Sequence, residues 1–120
     1  MMRRLFALCV ALAVVSVACE EPPATEPVAR GRQLYRKLDC GRCHFIDGQG
    51  GRVAPELTHI GTVAETRKRG ATDVEYIRES IVSPGAYIVP GFNDVMPRGL
   101  ARTLSAKDLD ALVLFLREHR

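Results

Sequence analysis

The run Cys40-Gly41-Arg42-Cys43-His44 restricts the fold of this chain more than any other feature of the sequence. The pattern C-x-x-C-H is the signature of covalent haem attachment. Each thiol can add across one haem vinyl group to form a thioether, and the imidazole directly after Cys43 is then held where a ring nitrogen can bind the iron. The motif therefore predicts one haem, covalently bound through Cys40 and Cys43, with His44 as an iron ligand.

Two other chemistries also use a C-x-x-C pair. Structural zinc needs four ligands, and the remaining candidates, His59 and His119, are unpaired and far apart in the sequence. A redox dithiol of the thioredoxin kind is expected within a βαβ pattern, which the sequence does not present. Haem attachment is the preferred interpretation, with a zinc site and a redox dithiol as the alternatives.

The first eighteen residues have the pattern of a signal peptide. Arg3 and Arg4 precede an apolar run, residues 5–17, that is too short for a stable transmembrane helix. Small residues then lead to Cys19, and an acidic, proline-rich stretch follows. This order resembles a bacterial lipoprotein signal, which implies cleavage before Cys19 and lipidation of its thiol. The alternative is ordinary secretion, with Cys19 left as a spare thiol.

These assignments divide the chain into a signal peptide (1–18), a lipidated, flexible tether (19–27) and a folded domain (28–120). The tether is predicted to be extended because it is rich in proline and lacks large apolar residues. Cys9 would be removed with the signal, so no cysteine remains for a structural disulfide. We expect an extracytoplasmic location, in the periplasm or at the cell surface, with the membrane as a partner through the lipid on Cys19.

Charge and size narrow the function classes. Removal of Arg3 and Arg4 lowers the formal net charge from +3 to +1, which leaves no basic excess for binding a phosphate backbone, so we expect no nucleic-acid partner. A domain of this size is marginally stable without help. A haem would provide that help as a large apolar plate at the centre of the core.

Apolar periodicity predicts three helices and no strand, hence an all-α fold with loops wrapped around the haem. The first helix spans about 28–38. The second begins at Thr72, where Thr72 and Glu75 have the spacing of a capping box, and runs to Val82. The third spans about 105–117 and has a clear apolar face.

Met96 is the one methionine that remains after the signal peptide. A thioether is a suitable sixth iron ligand and raises the reduction potential relative to two histidine ligands. The sequence therefore predicts His44 and Met96 as the two metal ligands. His59 in place of Met96, or an open sixth position, are the alternatives.

Several motifs occur here in the order found in class I c-type cytochromes, which the whole of residues 28–120 resembles. They are the helix with Gly31, Leu34 and Tyr35, the C-x-x-C-H motif, Pro55-Glu56-Leu57, the loop 83–97 that ends in Met96-Pro97, and the terminal helix with Leu112 and Phe115.

The resemblance implies a compact helical fold in which the first and last helices cross near Gly31 and Tyr35. It further implies that the Pro55 carbonyl accepts a hydrogen bond from the second ring nitrogen of His44 and that Leu57 packs on the haem. Arg67 and Tyr87 are candidate contacts for the haem propionates.

The predicted function is electron transfer. The protein would be a non-enzymatic, monohaem cytochrome that carries single electrons between extracytoplasmic redox proteins of a respiratory chain. A haem-bearing subunit of a larger oxidase or dehydrogenase is one alternative. A small-ligand sensor or weak peroxidase with a labile sixth ligand is the other.

Overall fold

Four α-helices form the described part of the chain, residues 21–120, in the computed structural model. They are α1 (Pro27–Lys37), α2 (Ile60–Arg67), α3 (Asp73–Val82) and α4 (Ala106–Arg117). The all-α prediction is confirmed, and the three predicted helices are present with ends shifted by one residue at most. The predicted signal peptide and the lipidation of Cys19 lie outside the described residues. Within residues 21–120 no helix is both long enough and apolar enough to cross a membrane.

Side-chain caps fix where the helices begin. Glu26 accepts hydrogen bonds from the backbone amides of Val28 and Ala29 at the start of α1. Thr72 and Glu75 form the predicted capping box at α3. Ser105 accepts from the Asp108 amide at α4. These bonds satisfy amides that have no partner within their own helix.

The first and last helices cross at Gly31, as expected from the resemblance. A Cβ at Gly31 would overlap the carbonyl oxygen of Ala111 and the Cβ of Phe115, so only glycine permits this approach. One turn further on, the rings of Tyr35 and Phe115 pack with their centroids 5.6 Å apart. The crossing fixes the end of α1, and with it the start of the C-x-x-C-H segment.

Helix α2 was not predicted, since residues 55–61 were expected to form a loop around the haem. Ile60 and Ala64 are buried on its inner face, and the amide of Gly61 donates a 2.7 Å hydrogen bond to the His119 carbonyl at the end of α4. No side chain caps the start of α2. Burial against α4, rather than a local sequence signal, accounts for this helix.

A short antiparallel hairpin is the second element that the sequence analysis missed. Strands β1 (Phe45–Ile46) and β2 (Gln49–Gly50) pair directly after His44. The turn residues Asp47 and Gly48 have φ angles of 46° and 85°, as a tight Asp-Gly hairpin turn requires. The segment predicted to be a flexible turn is thus hydrogen-bonded.

Residues 21–24 lie along α1 instead of extending freely. The Gln33 side-chain amide accepts a hydrogen bond from the Ala24 amide at 2.8 Å and donates one to the Pro22 carbonyl at 3.0 Å. Arg36 pairs with Glu21 at 3.1 Å. Composition predicts an extended tether here, but composition does not report that a helix offers partners for the backbone.

Candidate haem site

The C-x-x-C-H segment is a tight turn that starts just after α1. Asp39 leaves α1 in a left-handed conformation, with a φ of 56°, and Cys40–Arg42 form a 3₁₀ turn. The Cys40 carbonyl accepts hydrogen bonds from the amides of Cys43 and His44, at 3.2 and 3.0 Å. This turn brings both thiols and the imidazole to the wall of the same cavity.

The hydrogen bond between His44 and Pro55 determines which ring nitrogen is available. His44 Nδ1 lies 2.8 Å from the Pro55 carbonyl oxygen, and because a carbonyl can only accept, Nδ1 carries the proton. Nε2 therefore keeps its lone pair. Burial lowers the pKa of His44, and the bond to Pro55 opposes that effect. A neutral imidazole with a free Nε2 is the form that binds a metal.

A cavity of about 340 Å³ lies between the motif, α3, α4 and the loop that precedes residue 97. All eight residues proposed as cofactor contacts line it: Cys40, Cys43, His44, Pro55, Leu57, Arg67, Tyr87 and Met96. Met96 is half-buried and approaches this cavity from a loop far from the motif in sequence. The structure thus gathers two thiols, an imidazole and a thioether around one space.

The residues needed for the alternatives lie elsewhere. His59 is exposed, and together with His119 it lines a separate, polar depression. His119 Nδ1 bonds to the Phe115 carbonyl at 2.9 Å, and its Nε2 lies 3.2 Å from Asp47. Neither imidazole lines the cavity of Met96. Burial also raises the pKa of the Cys40 thiol to about 11, whereas a redox dithiol needs a lowered one.

Comparison with known families decides the assignment. The family model described as Cytochrome c matches residues 28–120. The chain belongs to the cytochrome c family. Its cofactor is covalently attached haem c, and Cys40 and Cys43 fit the attachment motif.

A curated relative of this cytochrome c is the small-letter-c-type partner chain of no other kind than a named nitric oxide reductase component from Stutzerimonas stutzeri, which is 28% identical over 102 residues. The match covers 81% of this chain and 61% of the relative. The chain thus spans somewhat less than two thirds of the length of the relative.

The cavity of this cytochrome c suits haem in both polarity and donor set. Its walls are mainly apolar, as a macrocycle requires, and the side chains of Leu57, Ile81 and Leu112 contribute to them. His44 Nε2 and the Met96 thioether are an established pair of axial donors for haem iron. Arg67 brings a positive charge to the lining, where a propionate contact is expected, and Tyr87 packs edge-on against Tyr76, with ring centroids 5.9 Å apart.

Several cavity residues were missed as site residues by the sequence analysis. Tyr35, Ile77, Ile81, Leu112 and Leu116 were interpreted as members of helix faces, and they are indeed buried, but they also line the haem cavity. An apolar stripe reports that a face is buried. It does not report whether that face meets protein or cofactor.

Proposed function

We propose that this cytochrome c is an electron carrier that passes single electrons between extracytoplasmic redox proteins of a respiratory chain. The single observation that carries the proposal is that His44 and the Met96 side chain line one cavity. With both axial positions filled by the protein, no coordination site is left for a substrate. When bound, haem c supplies a one-electron couple between ferrous and ferric iron.

The residues around the cavity hold the donors in place and tune their strength. The Pro55 carbonyl fixes the His44 tautomer and ring orientation through the 2.8 Å hydrogen bond, which makes Nε2 a better donor. Met96, as a soft thioether, favours the reduced state relative to a second imidazole. Buried apolar side chains exclude water, and exclusion of water disfavours the more highly charged oxidised state.

Redox titration of the mature protein tests the carrier role. We expect one electron per chain to be taken up and released over repeated cycles without loss of the spectrum. We also expect no steady consumption of peroxide by the reduced protein. Sustained peroxide turnover would instead support the weak-peroxidase alternative, in which the sixth ligand is labile.

Membership of a larger complex is the second candidate function. The supporting observation is the relative, whose name makes it one of the subunits of a nitric oxide reductase. In this case the chain would receive or deliver electrons within a stable assembly, and catalysis would take place in another polypeptide. Native purification from the membrane distinguishes the two: a carrier separates at moderate salt, whereas a component of a complex remains with it in fixed stoichiometry.

An extracytoplasmic, membrane-anchored location completes the proposal. It is supported by the C-x-x-C-H motif and by the order of the first nineteen residues, with Arg3 and Arg4, the apolar run and Cys19. Mass spectrometry of the mature N-terminus tests it. We expect a chain that begins at a lipidated Cys19, and Cys19→Ser should release the protein from membranes. A mature, unmodified N-terminus would favour ordinary secretion.

A further inference from the structure

The hydroxyl of Tyr35 is buried without a partner. Tyr35 is 7% exposed, and its oxygen is the one buried side-chain polar atom in residues 21–120 that has no hydrogen bond. Buried polar atoms in folded proteins almost always have partners, because the loss of hydration is otherwise uncompensated. A tyrosine at this position, where phenylalanine would pack equally well, indicates an acceptor that is not a protein atom.

The position of the hydroxyl indicates where that acceptor lies. Tyr35 lines the haem cavity, and its ring lies beside the first residues of the motif: a Cβ built on Gly41 would be 3.6 Å from Cε1 and 3.8 Å from the hydroxyl oxygen. Burial raises the pKa of Tyr35 to about 12, and the nearby Cys40 adds to the effect. The phenol is therefore protonated at neutral pH and acts as a donor.

We infer that Tyr35 is a positioning residue for the haem, and that its hydroxyl donates a hydrogen bond to the sulfur through which Cys40 is attached. The free thiol of Cys40 is both a weak donor and a weak acceptor. Once it has become a thioether, the sulfur has no proton and can only accept, which matches a phenol that can donate. The inference deepens the proposed electron-transfer function and rests on it, because it assigns a residue that orients one edge of the cofactor and tunes its potential.

Such a bond has a direction in its redox effect. A donor to the thioether sulfur draws electron density from the attached edge of the macrocycle, and withdrawal of density stabilises the reduced state. Tyr35→Phe removes only the hydroxyl oxygen and keeps the ring that packs on Phe115. The variant should fold, bind haem and have a lower reduction potential than the wild-type protein.

Proton NMR of the reduced, haem-loaded protein tests the contact itself. We expect one slowly exchanging hydroxyl proton that is absent from Tyr35→Phe and that shows a nuclear Overhauser effect to the Cβ protons of Cys40. This readout does not depend on electron transfer to any partner, so it can succeed even if the carrier role is wrong. Absence of the Overhauser effect would overturn the assignment of Cys40 as the acceptor site.

The potentials of two variants separate a redox role from a packing role. Phe115→Leu disturbs the packing of the Tyr35 ring but keeps the hydroxyl, and Phe115 does not line the haem cavity. We expect Tyr35→Phe to lower the potential, and Phe115→Leu to lower the melting temperature with the potential unchanged. An unchanged potential in Tyr35→Phe, or an equal shift in Phe115→Leu, would overturn the inference.

Discussion

Asp73 at the start of α3 and Arg117 at the end of α4 are joined by a 2.7 Å hydrogen bond from Nε to Oδ2. Asp73 is the one buried charged side chain among the described residues, at 8% exposed. The bond lies outside the haem cavity, and it connects two helices that both contribute to the cavity walls. It therefore couples the stability of the protein scaffold to pH without involving an iron ligand.

The pH dependence of stability follows from this pair. The hydrogen bond from Arg117 holds the pKa of Asp73 below its ordinary value of 3.8. Because the pKa is depressed in the folded state, the pair stabilises the fold fully above that value, and the contribution is lost as the pH falls through the lower, folded-state pKa. Asp73→Asn should reduce the free energy of unfolding at pH 7, and the difference from wild type should shrink below about pH 4.

Denaturant unfolding of the haem-loaded protein at several pH values measures this difference. Asp110→Asn is the matched control, since Asp110 pairs with Arg78 but its side chain is 63% exposed. Exposed pairs contribute little to stability, so this variant should behave like the wild type. A difference between Asp73→Asn and wild type that stays constant as the pH falls well below 3.8 would contradict the prediction.

The crossing of α1 and α4 predicts that Gly31→Ala is destabilising. Alanine favours a helix over glycine by about 1 kcal/mol, but here its Cβ would overlap the Ala111 carbonyl oxygen and the Phe115 Cβ. Relief of that overlap requires the helices to separate, at a cost of about 1–3 kcal/mol. We expect a lower melting temperature in Gly31→Ala, and no change in Lys37→Ala on the exposed face of the same helix. A more stable Gly31→Ala would mean that the helices are not in close contact.

The bonds of Gln33 predict slow amide exchange at Ala24. Ala24 donates to the Gln33 side chain at 2.8 Å, and a hydrogen bond of this kind contributes about 0.5–1.5 kcal/mol. Loss of the bond in Gln33→Ala should raise the exchange rate at Ala24 by up to about tenfold. Hydrogen exchange measured by NMR gives the rate. Equal rates in the variant and the wild type would indicate that residues 21–24 are a free tether in solution.

Exchange of the sixth ligand tests the role of Met96. Met96→His replaces a thioether with an imidazole, which is a stronger donor to ferric iron. The reduction potential should fall by an amount on the order of 0.1 V, a fraction of the roughly 0.8 V range that axial ligands set. Potentiometric titration followed by optical absorption measures it. A potential equal to that of the wild type would contradict iron ligation by Met96.

The sequence predicted the parts of the site whose chemistry requires a fixed spacing. Cys40, Cys43 and His44 had to lie on one turn, and they do. The capping pairs at Thr72 and Ser105 are local as well, because each side chain bonds to an amide three residues ahead. Gly31 was expected at a helix crossing on the basis of family resemblance, and the overlap with Ala111 explains why only glycine fits.

The parts that the sequence did not predict depend on distant contacts. Helix α2 is held by the bond from Gly61 to the His119 carbonyl, across 58 residues of chain. The alignment of residues 21–24 depends on where Gln33 points. The hairpin at Asp47-Gly48 is different, since Asp-Gly between apolar residues is a local signal that could have predicted it.

The optical spectrum of the purified, mature protein is the most direct test of the central claim, which is that His44 and Met96 both bind the haem iron of an electron carrier. The spectrum is recorded in the oxidised state, in the reduced state, and after carbon monoxide is added to the reduced state. We predict haem that resists acid–organic extraction, a low-spin spectrum and no response to carbon monoxide. A high-spin spectrum that shifts with carbon monoxide would contradict the claim and favour a sensor or peroxidase with an open sixth position.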